Sequence, residues 1–283
     1  MMRHPLLSGA ISRLRTSGVA TPDVDAEILL AFVTRTTRGS VRAGVSVSAE
    51  QRDAYERLII RRAAREPLQH LTESAPFRYL ELIVGPGVFV PRPETESLAG
   101  WGIDLIGALD LARPVVVDLC TGSGAIAASI AHEMPHAQVH AVELDDRAYA
   151  YAQRNLDGSR VDLRRGDIST AFADLDETVD IVVANPPYIP LAAFESVEQE
   201  VRDHDPSLAL WAGEDGLDAI ATVEAVAHRL LRAHGQVGCE HADVQGESAP
   251  RVFTSTGHWT DVRDRRDLAD RPRFVTATTR RRG

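Results

Sequence analysis

Asn185-Pro186-Pro187-Tyr188 is the segment of this chain best built for chemistry. A proline fixes φ, and the residue before a proline is pushed extended, so the Asn185 amide and the Pro186 carbonyl sit on a backbone with little freedom. Such a corner suits the grip of a planar –NH2 group. Taken alone, Asn-Pro-Pro is equally a turn that closes a strand. A second constellation changes that balance. Asp118-Leu119-Cys120-Thr121-Gly122-Ser123-Gly124 breaks an apolar run into a Gly-containing turn ahead of an Ala/Ile stretch. Glycines at 122 and 124 let the backbone approach a ligand closely, and a helix N-terminus behind them favours a carboxylate or phosphate. Glu143 follows Gly124 by 19 residues, the placing of an acid that accepts both hydroxyls of a ribose.

These residues need strands to carry them. Val115-Val116-Val117, Gln138 to Val142 and Val179-Asp180-Ile181-Val182-Val183-Ala184 are β-rich runs, each ending on one of the chemical segments. In open α/β sheets that carboxyl end is where ligands bind. From Thr95 onward the pattern predicts a helix to about residue 109 and strands near 115, 138, 161, 179, 235, 258 and 273. Such alternation implies a parallel sheet with helices on both faces. Before it, the first seventy or so residues read helical, with breaks near Gly18 to Pro22 and Gly39 to Ser48. Leu7, Ala10, Ile11 and Leu14 share one helical face, as do Ala26, Leu29, Leu30 and Val33 after the Thr21-Pro22 start. Ser48-Ala49-Glu50-Gln51 has capping-box spacing ahead of Tyr55, Leu58 and Ile59. Phe77 to Val84 and Val88 to Val90 read as a hairpin across Gly85-Pro86-Gly87. The predicted division is a helical domain over 1–73, a hairpin linker over 74–94 and a catalytic domain over 95–283.

Asp-x-Cys-x-Gly-x-Gly lacks the third glycine of the nicotinamide fingerprint, and the chain instead resembles the class I S-adenosylmethionine-dependent methyltransferases. The resemblance implies a Rossmann-like, seven-stranded α/β sheet closed by an antiparallel pair. It assigns Asp118, Cys120, Thr121, Gly122, Ser123 and Gly124 to the methionine end of the cofactor and Glu143 to the ribose. Asp167 and Ile168 fall near the adenine, and Asn185 also belongs to the cofactor site. Cys120 stands where that family usually has glycine, so its Cβ implies crowding or a small local shift.

Asn-Pro-Pro-Tyr narrows the resemblance to enzymes that methylate exocyclic or amide nitrogen, among them adenine-N6 and glutamine-N5 enzymes. Phe89-Val90-Pro91-Arg92-Pro93-Glu94-Thr95-Glu96 resembles the signature of the release-factor glutamine methyltransferases, and segments at 200–210, 213–218, 245–247 and 266–273 do likewise. Ribosomal-protein glutamine methyltransferases resemble the chain elsewhere but usually lack Pro-Glu-Thr. The implied target is the glutamine of a Gly-Gly-Gln loop. Asn185 and Pro186 would accept the two amide hydrogens, Tyr188 would pack beside the amide with Pro187, and Phe89 and Pro91 would be apolar walls. Arg92, Glu94 and Glu96 read as a charged inter-domain hinge. His70, His204 and His241 read as structural, since amide methylation by orientation calls for no histidine.

Net charge is −10 over 283 residues, which weighs against affinity built on neutralising phosphates and hence against the adenine-N6 reading. All 31 basic residues are arginine. Cys120 and Cys239 lack metal-ligand spacing, so no metal site is expected. No apolar run reaches the ~18 residues of a membrane span. The first twenty-two residues are basic and acid-poor like a transit segment, but their apolar stripe fits a first helix; the reading is a cytoplasmic monomer with an intact N-terminus. Arg280-Arg281-Arg282 reads as a solvated end.

Overall fold

The computed structural model describes residues 5–280; residues 1–4 of the basic leader and Arg281 and Arg282 of the tail lie outside them, while Arg280 is exposed. The chain divides into two compact units.

The first unit ends at Ser74 and takes in Glu198–His204. Its helices are α1 (Pro5–Thr16), α2 (Pro22–Thr34), α3 (Arg38–Ala43), α4 (Ala49–Ala63) and α5 (Leu68–Thr72). Their apolar stripes meet in one core of Leu7, Ile11, Leu14, Leu29, Leu30, Tyr55 and Ile59. Ser48 and Gln51 cap α4 reciprocally, as their spacing requires. Thr21 precedes α2 but does not cap it; its hydroxyl donates to Asp25 Oδ1 at 2.7 Å. Asp25 is buried because Arg62 Nε meets its Oδ2 at 2.7 Å, and Arg62 also reaches Glu200 Oε1 at 3.0 Å. Breaking a buried pair strands the remaining charge, so Arg62→Ala costs the helical unit about 3–5 kcal/mol. Urea unfolding followed by circular dichroism measures that loss; a change below about 1 kcal/mol contradicts the assignment.

The second unit holds the sheets. Strands β1 (Ser74–Phe77) and β2 (Leu80–Ile83) form a two-stranded sheet. This corrects the predicted hairpin: the chain turns at Arg78-Tyr79, and Val88 to Val90 is not a strand. Arg78 adopts φ 52° and is held there by Glu96, which accepts its backbone N–H at 3.1 Å, and by Glu133, which accepts from its guanidinium. Gly85 does begin a turn, closed by Val88 N–H at 3.3 Å, but Val84, Val88 and Val90 then enter the core without pairing.

Helix α6 (Glu96–Ala108) leads into β3 (Val115–Leu119), α7 (Ala125–Glu133), β4 (Gln138–Glu143), α8 (Asp146–Asn155), β5 (Asp162–Arg165) and β6 (Val179–Ala184). After α9 (Gln199–His204), which belongs to the first unit, come α10 (Ser207–Leu210), α11 (Asp218–Leu230), β7 (Leu231–Glu240), α12 (Ser248–Ser255), β8 (Trp259–Arg266) and β9 (Pro272–Thr279). The seven strands run in the order β5-β4-β3-β6-β7-β9-β8. The first five are parallel, and β9 is antiparallel to both neighbours. Every residue of β6 is buried, which explains its apolar composition; its one charged residue, Asp180, accepts Val115 N–H at 2.6 Å. Separate apolar cores cover the two faces, one under α6, α7 and α8 and the other under α11 and α12. No helix among the described residues is long and apolar enough to cross a membrane.

Candidate active site

Register gathers the site. Leu119 pairs with Val142 on one side and with Ala184 on the other, and Ala184 pairs with Cys239. The next residues, Cys120 and Asn185 just past their strands and Glu143 and Glu240 as the last residues of theirs, therefore line up at the carboxyl edge of the sheet. Between β3 and β6 the strand order reverses, the switch point at which such sheets bind ligands.

The loop after β3 is built around two acids. Asp118 Oδ2 accepts the Thr121 hydroxyl at 2.6 Å and the Ala127 N–H at 3.1 Å, fastening the loop to the first turn of α7. Its Oδ1 is enclosed with no hydrogen-bond partner. Glu143 Oε2 accepts Gly122 N–H at 2.8 Å, and Oε1 accepts the N–H groups of Leu144 and Asp145 at 2.9 and 2.8 Å. Three of roughly four lone-pair sites are thus committed, leaving room for one further donor rather than two. Gly122 has φ 60° and open space where a Cβ would stand. Asp167, exposed past β5, accepts Ser169 N–H at 2.8 Å, and this bond holds its carboxyl below the usual range. Ile168 packs against the second core. These features fit S-adenosylmethionine: an orphan carboxylate oxygen for an ammonium, an approachable loop at a helix start, and an acid for a ribose hydroxyl.

Cys120 has φ 59°, in the left-handed region that strains side chains. Burial pushes its thiol well up, so it stays protonated and packs rather than reacts. At an ordinary φ alanine is more stable than glycine; at residue 120 the order reverses, with Cys120→Gly about 1 kcal/mol above Cys120→Ala in thermal unfolding. Equal stabilities contradict the strain. Burial likewise pushes Asp118 from 3.8 up to about 7, although Thr121 and Ala127 pull it back. A carboxyl whose pKa rises on folding stabilises the fold while protonated, and this contribution is lost as pH climbs from about 4 through about 7. Unfolding free energy of the wild type should therefore fall between pH 5 and 7.5 more steeply than that of Asp118→Asn. Parallel slopes contradict it.

The second half of the site is the corner after β6. Asn185 Nδ2 donates to Thr95 Oγ1 at 3.3 Å, which leaves Oδ1 as its free acceptor. Pro186 is buried and Pro187 half-buried. Tyr188 donates its hydroxyl to Glu240 Oε1 at 3.0 Å while its ring lies against the second core, so it braces the corner from below. Gln245 Nε2 holds the Tyr188 carbonyl and the Asp215 carbonyl, each at 3.1 Å. Phe89 and Pro91 are half-buried; the Phe89 ring carries the Arg92 guanidinium at 4.9 Å, and no hydrogen bond among the described residues ties either residue to Asn185.

Arg92 pairs with Asp205, Glu94 with Arg271, and Glu96 with Arg78. All these partners belong to the second unit, so the charged segment is an internal clamp and not an inter-domain hinge. His70 and His204 lie edge to face at 6.5 Å within the first unit. His241 is buried and donates Nδ1–H to the Ala242 carbonyl at 2.8 Å; burial pushes its pKa down, against the opposite pull of Ala242 and of Asp264, 3.1 Å from Nε2. Sequence reasoning missed Glu240, and it quoted Thr95 only as part of a signature. Glu240 ends a strand as Glu143 does, but no motif surrounds it.

Residues 5–72 match the PrmC N-terminal domain and residues 104–201 the methyltransferase small domain. A release factor glutamine methyltransferase of Streptomyces coelicolor is 56% identical over 268 residues, covering 95% of each chain. Its counterpart in Mycolicibacterium smegmatis is 45% identical over 275 residues, covering 96% of each. In fold, the chain is similar to the hMettl16 catalytic domain in complex with MAT2A 3'UTR hairpin 6, with a TM-score of 0.56 and 14% identity over 84% of this chain and 88% of that one. With relatives this similar spanning both units, and with the acid-lined loop and the Asn-Pro-Pro-Tyr corner side by side at the sheet edge, the chain belongs to the release factor glutamine methyltransferase family.

Proposed function

We propose that this chain transfers the methyl group of S-adenosylmethionine to the side-chain amide nitrogen, N5, of the glutamine in the Gly-Gly-Gln loop of peptide-chain release factors. The observation that carries the reading is the Asn185 amide, turned by Thr95 so that Oδ1 is its open acceptor, one strand away from the Asp118–Glu143 loop.

An amide nitrogen is a poor nucleophile because its lone pair is delocalised into the carbonyl, the same resonance that gives a peptide bond its rotation barrier of ~18–20 kcal/mol. The chain's task is to aim that lone pair. Asn185 Oδ1 accepts one amide hydrogen and the Pro186 carbonyl the other, which orients the –NH2 group and favours its pyramidalisation as positive charge develops. Tyr188 and Pro187 keep the two acceptors in place, and Phe89 and Pro91 provide apolar walls. S-adenosylmethionine, when bound, supplies an electrophilic sulfonium methyl; Asp118, the backbone from Cys120 to Gly124, Glu143, Asp167, Ile168 and Asn185 are the residues that would hold it. The nitrogen gains the methyl and afterwards loses one proton to water, so no strong base is needed. Alignment of this kind is worth roughly 7–11 kcal/mol of a barrier.

Exposed apolar side chains on the loops leaving the same sheet edge, Leu191, Phe194, Val244 and Leu268, support a protein as the substrate. The acidic net charge weighs against a nucleic acid. Transfer of labelled methyl to a purified, unmethylated release factor tests the proposal. Label should appear in the natural factor and be absent from one whose Gly-Gly-Gln glutamine is replaced by alanine; equal labelling of both overturns the substrate assignment.

A further inference from the structure

We infer that Asn155 is a positioning residue for the cofactor: its side-chain amide fastens the loop of residues 120–124 to β2 and so fixes where that loop presents its backbone. The inference deepens the proposed function and rests on it for the assignment of the loop to S-adenosylmethionine.

An asparagine side chain carries one acceptor oxygen and two N–H donors. Asn155, the last residue of α8, commits all three. Oδ1 accepts Ile83 N–H at 2.7 Å, and Nδ2 donates to the Ile83 carbonyl at 2.9 Å and to the Ser123 carbonyl at 2.8 Å. The two ends of the amide cannot be exchanged, because a backbone N–H requires the oxygen and two carbonyls require the nitrogen. Ile83 ends β2, and Asn155 meets both of its backbone groups as a further strand would. The remaining N–H reaches the loop. Ser123 is buried and directly precedes Gly124, the N-cap of α7.

The loop is seated on α8 at the same place. Gly124 has φ 85°, and a Cβ there would stand 3.3 Å from the Leu156 side chain and 3.5 Å from the Ala152 backbone. Asp118 holds Thr121 and Ala127, Glu143 holds Gly122, and Asn155 holds Ser123 between them. The same face of α8 also carries the segment beyond β2. Residues 83, 85 and 87 meet 155, 151 and 147 in turn: a Cβ at Gly85 would stand 2.4 Å from the Tyr151 hydroxyl, and one at Gly87 2.7 Å from Arg147 Cδ. Residues four apart share a helix face, so one stripe of α8 backs the segment that leads to Phe89 and Pro91. Of these three side chains Asn155 is the one that hydrogen-bonds the loop. It therefore joins the cofactor loop to the segment bearing the proposed apolar walls.

Asn155→Asp keeps the shape and the acceptor for Ile83 N–H but sets carboxylate oxygen against the Ser123 and Ile83 carbonyls. Its Kd for S-adenosylhomocysteine, measured by calorimetry, should rise about ten- to fiftyfold, the range for a buried polar group left without its partner. At saturating cofactor kcat should fall less than about threefold. Tyr151→Ala is the control for a merely structural role. It loosens the segment at Gly85 without touching Ser123, so the melting temperature should fall while Kd stays within about threefold of wild type. A second readout needs neither a substitution nor a methyl acceptor. Hydrogen exchange at Ile83 N–H should slow at least about fivefold when S-adenosylhomocysteine binds, because its acceptor is tied to the occupied loop. A folded Asn155→Asp with the wild-type Kd, an equal rise of Kd in Tyr151→Ala, or Ile83 exchange unchanged by the ligand overturns the inference. If the wild type methylates no glutamine the proposed function fails, and Kd and exchange still decide the role of Asn155.

Discussion

Asn185→Ala should lower kcat for glutamine methylation by about 10²–10³-fold, the cost of removing one preorganised partner of a developing charge. The fold should survive, because the side chain gives up a single hydrogen bond, to Thr95 at 3.3 Å. Cofactor affinity should fall far less than turnover, since Asp118 and Glu143 are untouched in their own loop. Steady-state kinetics with a titration of cofactor binding separates the two effects. Loss of both in proportion would make Asn185 a cofactor ligand first. Unchanged turnover would remove it from the chemistry.

Gly216→Ala should be the most damaging single methyl group in the second unit. Gly216 has φ 77°, and a Cβ there would stand 2.3 Å from the Tyr188 carbonyl oxygen and 2.8 Å from Gln245 Nε2. Neither neighbour is free to yield. The carbonyl belongs to the proline-fixed corner, and Gln245 is the residue that holds it at 3.1 Å. Backbone strain and overpacking together cost about 2–4 kcal/mol. Because relief requires the corner to move, turnover should drop by at least about tenfold. Gly257→Ala is the control: φ is 76° but nothing lies within 4 Å, so only conformational strain is added, about 1 kcal/mol. Urea unfolding and turnover of both variants measure the contrast. Equal stability losses would mean that contact with Tyr188 costs nothing.

The parts of the fold that were legible in the sequence are those where one physical demand dominates. Val115-Val116-Val117 and Val179 to Ala184 belong to strands buried on both faces, and such strands favour β-branched and apolar residues, Asp180 being the exception here. The helical stripes near Leu7, Leu29 and Ile59 were equally plain because each closes on one core. The hairpin was not legible. Its turn places Arg78 at φ 52°, a conformation that arginine does not advertise and that Glu96 and Glu133 impose from distant parts of the chain. Gly85-Pro86-Gly87 attracted the turn assignment by composition, although the segment beyond it packs without pairing.

The site divides in the same way. Asn185, Glu143 and Asp118 carry local signals: a double proline, a strand end and a glycine loop. Glu240 carries none, because its importance lies in accepting the Tyr188 hydroxyl, and only the strand order brings β7 beside β6. The charged Pro-Arg-Pro-Glu-Thr-Glu segment reads in sequence as a hydrogen-bonded inter-domain hinge because the partners that make it an internal clamp, Asp205 and Arg271 above all, lie far along the chain. Thr95 entered the sequence reading only as part of the Pro-Glu-Thr signature, and its hydroxyl oxygen accepts from Asn185 Nδ2 at 3.3 Å.

Tandem mass spectrometry of the Gly-Gly-Gln peptide from an unmodified release factor, after incubation with this protein and S-adenosylmethionine, tests the central claim most directly. The account predicts one added methyl group on the glutamine side chain, absent when Asn185→Ala replaces the wild-type protein. An unmodified glutamine under conditions where cofactor binding is demonstrated, or a methyl group on any other residue, would contradict it.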